Sequence, residues 1–174
     1  KLTITFLFVF IFSNSLIAQL VVGENASVTV AESASITVAG LEINPNSDMV
    51  ISGPNSVDRN LTSVSIDGAE SMARHYTISD NLSSYTGTIV YNYADEDMNG
   101  ITHFAALQVL DSPDGMWMNY ADEDGVDYSV THSFENAVEI QSVTASDATL
   151  SVETIDGEMT ISIFPNPTSN TINV

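Results

Sequence analysis

Thr86-Gly-Thr-Ile-Val-Tyr-Asn-Tyr93 decides the fold. Thr88, Val90 and Asn92 fall on one face of an extended chain, and Ile89, Tyr91 and Tyr93 on the other. Successive side chains of a strand point to opposite faces, so a period of two buries one set and leaves the other to water. β-Branched and aromatic residues suit such a half-buried pleat. The same pattern recurs on both sides. Upstream lie Thr62-Ser-Val-Ser-Ile66, an Asp67-Gly68 turn and Ser71-Met-Ala-Arg-His-Tyr-Thr-Ile78. Downstream, Phe104 to Leu110 and Met116 to Tyr120 flank Asp111-Ser-Pro-Asp-Gly115, a hairpin turn, and Trp117 is expected to anchor the core. Val126 to His132, Ala137 to Val143, Thr149 to Thr154 and, after Asp156-Gly157, Glu158 to Phe164 continue the series. No useful window shows apolar residues at i, i+3, i+4 and i+7. Short strands punctuated by Asp-Gly and Asn-Gly turns predict an all-β chain, an antiparallel, immunoglobulin-like β-sandwich over residues 54–157.

Residues 20–53 carry a repeat. Ala26-Ser-Val-Thr-Val30 and Ala34-Ser-Ile-Thr-Val38 share a pattern, and Leu41 to Gly53 extends it, with Gly23, Gly40, Pro45 and Gly53 as punctuation. Two arrangements fit: short β-solenoid-like rungs preceding the sandwich, or the first strands of the sandwich itself.

Composition narrows the partners. The chain has 174 residues, enough for one domain with short appendages, and 44% are hydrophobic, enough for a core. Asp and Glu number 23 against 3 Lys and Arg, a formal charge of −20. That field repels phosphate backbones and anionic membrane surfaces, so neither nucleic acid nor a charged bilayer is an expected partner. There is no cysteine, which removes disulfides, thiolate catalysis and cysteine metal sites. Lys1 precedes an apolar run to Phe12, and Ser13-Asn-Ser-Leu-Ile-Ala-Gln19 closes it with small residues. The run is short for a membrane span and fits a secretory signal peptide over residues 1–19, cleaved after Ala18 or Gln19. No stable transmembrane segment is then expected in the mature chain, whose cations are Arg59 and Arg74.

One hexapeptide occurs twice, as Asn92-Tyr-Ala-Asp-Glu-Asp97 and Asn119-Tyr-Ala-Asp-Glu-Asp124. In the first copy Asp95, Asp97 and Asn99, followed by Gly100, have the spacing of a calcium loop, which gathers oxygen ligands around one point. An EF-hand would need a glutamate where Ala106 stands, so the candidate is a non-EF site with calcium as its ion. In the second copy the corresponding fifth position is Val126 and the pattern fails. Asp95 with Asp97, or Asp122 with Asp124, are adjacent acids at a loop and do not resemble glycosidase carboxyls set across a cleft. His75, His103 and His132 lack the spacing of a metal pair, and no Gly-x-Ser-x-Gly elbow is present. Tyr85, Tyr91, Tyr93, Trp117 and Tyr120 form either a sugar-binding face or core. Asn25, Asn60 and Asn81 open Asn-x-Ser/Thr sequons. No cofactor is implied.

At the far end, Ile161-Ser-Ile-Phe-Pro-Asn-Pro-Thr-Ser-Asn-Thr-Ile-Asn-Val174 sets two alternating runs around a Pro-Asn-Pro corner. This resembles the opening of the C-terminal sorting domain of type IX secretion cargo of Bacteroidetes, with Phe164, Pro165, Asn166 and Pro167 as its motif. The family domain is much longer, so residues 158–174 are expected to be the start of a truncated copy. Arg74 to Ile78, Tyr93 to Gly100, Ala106 to Leu110 and Asp114 to Trp117 are also similar to a β-rich module of large surface proteins in the same bacteria, which implies a fold and no activity. The resemblance implies the type IX secretion machinery as a partner and a secreted or outer-surface location. The expected function is a non-enzymatic, acidic, structural or adhesin-like surface protein. The alternatives are a calcium-dependent module binding surface polysaccharide, or a non-catalytic fragment of a larger exported enzyme.

Overall fold

The computed structural model describes residues 19–101 and 105–147. The first half contributes β1 (Gln19–Val22), β2 (Ser27–Val30), β3 (Ile36–Val38), β4 (Leu41–Pro45), β5 (Met49–Ser52) and β6 (Asn55–Asn60). Then come β7 (Ser65–Ile66), β8 (Ala69–Glu70), β9 (His75–Asn92), β10 (Ala105–Leu110), β11 (Trp117–Tyr120) and β12 (Ser129–Asp147), with one 3-10 turn at Asp95–Asp97. The chain is all-β, its sheets are antiparallel, and they do not close into a barrel. The main sheet runs β1-β6-β9-β12-β10-β11; β4 joins β9, and β3 joins β4. Two small ribbons, β2-β5 and β7-β8, complete the set.

The long strands make the layers. His75–Ile78 of β9 lies beside β6, Gly87–Tyr91 lies beside β4, and β12 follows the opposite edge of both. Straight, β9 would put Tyr76 and Tyr91 roughly 50 Å apart at ~3.3 Å per residue. Their rings instead meet edge to face with centroids 5.8 Å apart. The strand therefore turns a corner, and its halves face each other across the core. Inward positions are Tyr76, Ile78 and Leu82 before the corner, and Tyr85, Ile89 and Tyr91 after it, so the alternation changes phase. Ser84 takes a left-handed φ of 53° there, and Gly87 a φ of 138°. β12 bends with it through register shifts between Phe134 and Ser142. Bulged strands that switch layers are a standard way to make a sandwich corner. Leu41, Ile43, Val57, Leu107, Val109, Phe134, Ile140 and Val143 fill the space between.

The alternation in Thr86 to Tyr93 is seen as expected, with Ile89, Tyr91 and Tyr93 buried, and Asp111–Gly115 joins β10 to β11. One open choice closes and three expectations change. Residues 20–53 do not stack as rungs: Ser27–Val30 pairs with β5, whereas Ile36–Val38 pairs with β4 and through it with β9, all antiparallel. The repeat is local, and each copy answers to a different neighbour. Ser71 to Arg74 is no strand, although Met72 N donates to Ala145 O. Val126 to His132 and Ala137 to Val143 are not two strands; β12 starts at Ser129 and covers both, because bulges replace the turn. Trp117 is half-buried on the strand at one end of the described sheet, outside the core cluster. The expected strands at Thr149 to Thr154 and Glu158 to Phe164 lie outside the described residues.

Candidate functional site

Met72, Arg74, Tyr76 and Ile78 alternate inward, so a guanidinium enters the core, where Arg74 is 5% exposed. A buried charge needs a partner and hydrogen bonds. Arg74 Nη1 lies 3.0 Å from Asp97 Oδ2, and Nη2 donates to the Asn92 carbonyl. The guanidinium carbon sits 5.1 Å from the centre of the Tyr91 ring and 5.7 Å from that of Tyr76, so the rings supply cation–π contacts. Tyr91 Oη and Thr144 Oγ1 donate to the Arg74 carbonyl at 2.8 and 2.7 Å, and Tyr76 Oη donates to Ala39 O at 2.7 Å. Burial pushes the Tyr91 phenol up to about 12 against the pull of Arg74; burial likewise raises Tyr76 and Tyr85. The cluster ties the start of β9, its end, the 3-10 turn and β12 together. It is a brace.

That brace redirects the calcium triad. Asp97 faces inward on Arg74, and its Oδ2 also accepts the Ala94 amide at 2.9 Å. Asn99, at a φ of 50°, uses its side-chain amide to donate to Ser71 O at 2.9 Å. Asp95 lies at the surface and hydrogen-bonds Tyr128, whose phenol it raises. The sequence spacing put Asp95, Asp97 and Asn99 around one ion; the structure gives each a separate task. Among the described residues no group of three or more His, Asp or Glu is placed to hold a metal.

The second hexapeptide also works inward on its own loop. Asp122 accepts the Gly125 and Thr131 amides at 3.0 and 2.8 Å. Asp124 accepts the Thr131 hydroxyl at 2.6 Å and the Val126 amide at 3.0 Å, and these bonds lower its pKa. Glu123 accepts the Ser133 amide at 3.1 Å and lies 3.1 Å from His132 Nδ1. The acids fasten their loop to β12.

Of the candidate aromatic face, Tyr85, Tyr91 and Tyr93 are buried, so they are core. Tyr120 is half-buried and packs edge to face on Phe134 at 4.8 Å. Trp117 lines one surface cleft and Tyr120 another. His75 Nδ1 lies 2.9 Å from Thr62 O, while His103 falls outside the described residues. So do the signal-like residues 1–18 and the motif Phe164, Pro165, Asn166 and Pro167.

Sequence reading missed the Arg74–Asp97 pair. Its signal was present: one of few cations stands at an inward position of a period-two run, which demands a buried acid. No helix among the described residues is long and apolar enough to cross a membrane. No protein-family model matches this chain, and neither does any curated protein or solved structure. What the fold and site define is an antiparallel β-sandwich whose clustered acids are largely committed to its own loops.

Proposed function

We propose that this chain is an exported, non-enzymatic protein of the outer surface or the medium, structural or adhesive in role. It leaves the cell in two stages. The apolar segment within residues 1–19 directs passage through the inner membrane, and the type IX machinery reads the Phe164-Pro165-Asn166-Pro167 region. That motif, set between two alternating runs, is the observation that carries the reading. Three features accord with it. The core is disulfide-free, the surface is strongly acidic, and the acids of both hexapeptides hold loops in place. The test is fractionation of a type IX-competent host making the full gene product, with and without alanines at Phe164, Pro165, Asn166 and Pro167. The native protein is expected outside the outer membrane and the variant in the periplasm. Equal distribution of the two would overturn the sorting role.

A further inference from the structure

The β7-β8 ribbon lies against the face of β10, β11 and β12 that points away from Leu107 and Val109, and a cleft remains between them. Register puts Gln108 opposite Asn119 on one side and Thr144 on the other, so Gln108, Asn119, Trp117 and Ser146 share that face. The cleft holds about 70 Å³ and is walled on the ribbon side by Asp67 and Glu70. Gln108 is the informative member. It is 2% exposed, it opens on this cleft, and its carboxamide makes no hydrogen bond among the described residues. Neither of its polar atoms is among the side-chain atoms sealed away without a partner, so the carboxamide faces the cleft and is free to bond water or a guest there.

We propose that this cleft is a saccharide subsite that takes the edge of one neutral sugar ring. A sugar hydroxyl both donates and accepts. Gln108 can meet it in either sense, and the carboxylates of Asp67 and Glu70 accept from its neighbours. Trp117, half-buried beside them, offers a flat apolar ring to the C–H face of a pyranose, and such a ring retains a large contact area at low entropy cost. The lining carries Asp67, Glu70 and Asp147 and no Lys or Arg, so a uronate, sulfate or phosphate is repelled. At ~10–15 Å³ per water the space holds about five waters, the match for a ring edge and its hydroxyls. Sugar hydroxyls can replace water in such a space because they make the same bonds. The inference stands apart from the export reading, since it needs only the described strands.

Trp117 is the only tryptophan of the chain, so intrinsic fluorescence reads the cleft directly. The full chain is titrated with glucose, galactose, mannose and N-acetylglucosamine. A saturable change with a Kd of roughly millimolar size is expected for at least one of them. Gln108→Leu and Asp67→Asn should each weaken it about tenfold, the loss of one well-made buried contact. Asn tolerates the left-handed turn that Asp67 occupies, so the second variant keeps the test valid if the first does not fold. The proposal is overturned by no saturable response to any of the four sugars up to about 100 mM. It is equally overturned by a response unchanged in the folded variants, or by glucuronate or ethylammonium saturating the signal where the neutral sugars do not.

Discussion

Arg74 and Asp97 show how much one residue pair organises. Removing one member of a buried pair leaves the other charge uncompensated, at a cost of about 3–5 kcal/mol, whereas replacing both with apolar residues is often tolerated. Asp97→Asn is therefore expected to lower the unfolding free energy by about that much. The double variant Arg74→Met with Asp97→Leu should recover most of it in urea titrations. The tyrosines packed on the brace set an alkaline limit. Tyr91 has an ordinary value of 10.0 and a folded value of about 12, so the unfolded chain releases its proton first. Stability is full below pH 10 and is lost as pH rises through the folded value. Ultraviolet difference titration should show Tyr76, Tyr85 and Tyr91 ionising only as the protein unfolds; ionisation in the native state would contradict their burial. Little of this pair was legible in advance. The inward position of Arg74 follows from the spacing of Met72, Tyr76 and Ile78, but its acid comes from a distant loop. Asp97 was assigned to an ion because local spacing cannot show that an arginine competes for it.

At the scale of elements, β9 and β12 were each legible in pieces and not as wholes. Alternation located His75 to Ile78 and Thr86 to Tyr93 correctly. It could not say that the stretch between them is a bend in a continuous strand, because Ser83-Ser84 reads as a loop and bulges carry no signature in one sequence. Gly87 makes the bend tight: at φ 138° a Cβ would collide with the Asn44 carbonyl on β4. Gly87→Ala should cost about 2–4 kcal/mol from backbone strain plus overpacking, measured by chemical denaturation. A cost near zero would mean that the two layers are not joined there. The loop after β11 has a pH limit of its own. Asp124 is lowered from 3.8, first by the Thr131 hydroxyl and then by the Val126 amide. A depressed carboxylate contributes stability above its ordinary pKa and loses it as pH falls through the folded value. The protection factor of the Val126 amide, its exchange measured against the free-peptide rate at the same pH, should thus fall below about pH 4 and stay flat in Asp124→Asn.

For the whole molecule, class was easier to read than topology. Period-two runs and turn residues are local, so the all-β character showed at once. Which strand neighbours which is a long-range outcome, and β1 beside β6 or β4 beside β9 could not be told from a repeat such as Ala26–Val30 and Ala34–Val38. The same limit applies to Trp117, whose place at one end of the described sheet depends on β10 pairing inward with β12. The proposed address has the opposite character: it rests on two linear features, one within residues 1–19 and the other at Phe164 to Pro167, and it owes nothing to the described strands. The most direct measurement is surface proteolysis of intact cells in two sibling strains, one with and one without a working type IX system. The protein should be digested on cells of the first strain and protected in the periplasm of the second. Protection in both strains, or a cytoplasmic pool that retains residues 1–18, would contradict it.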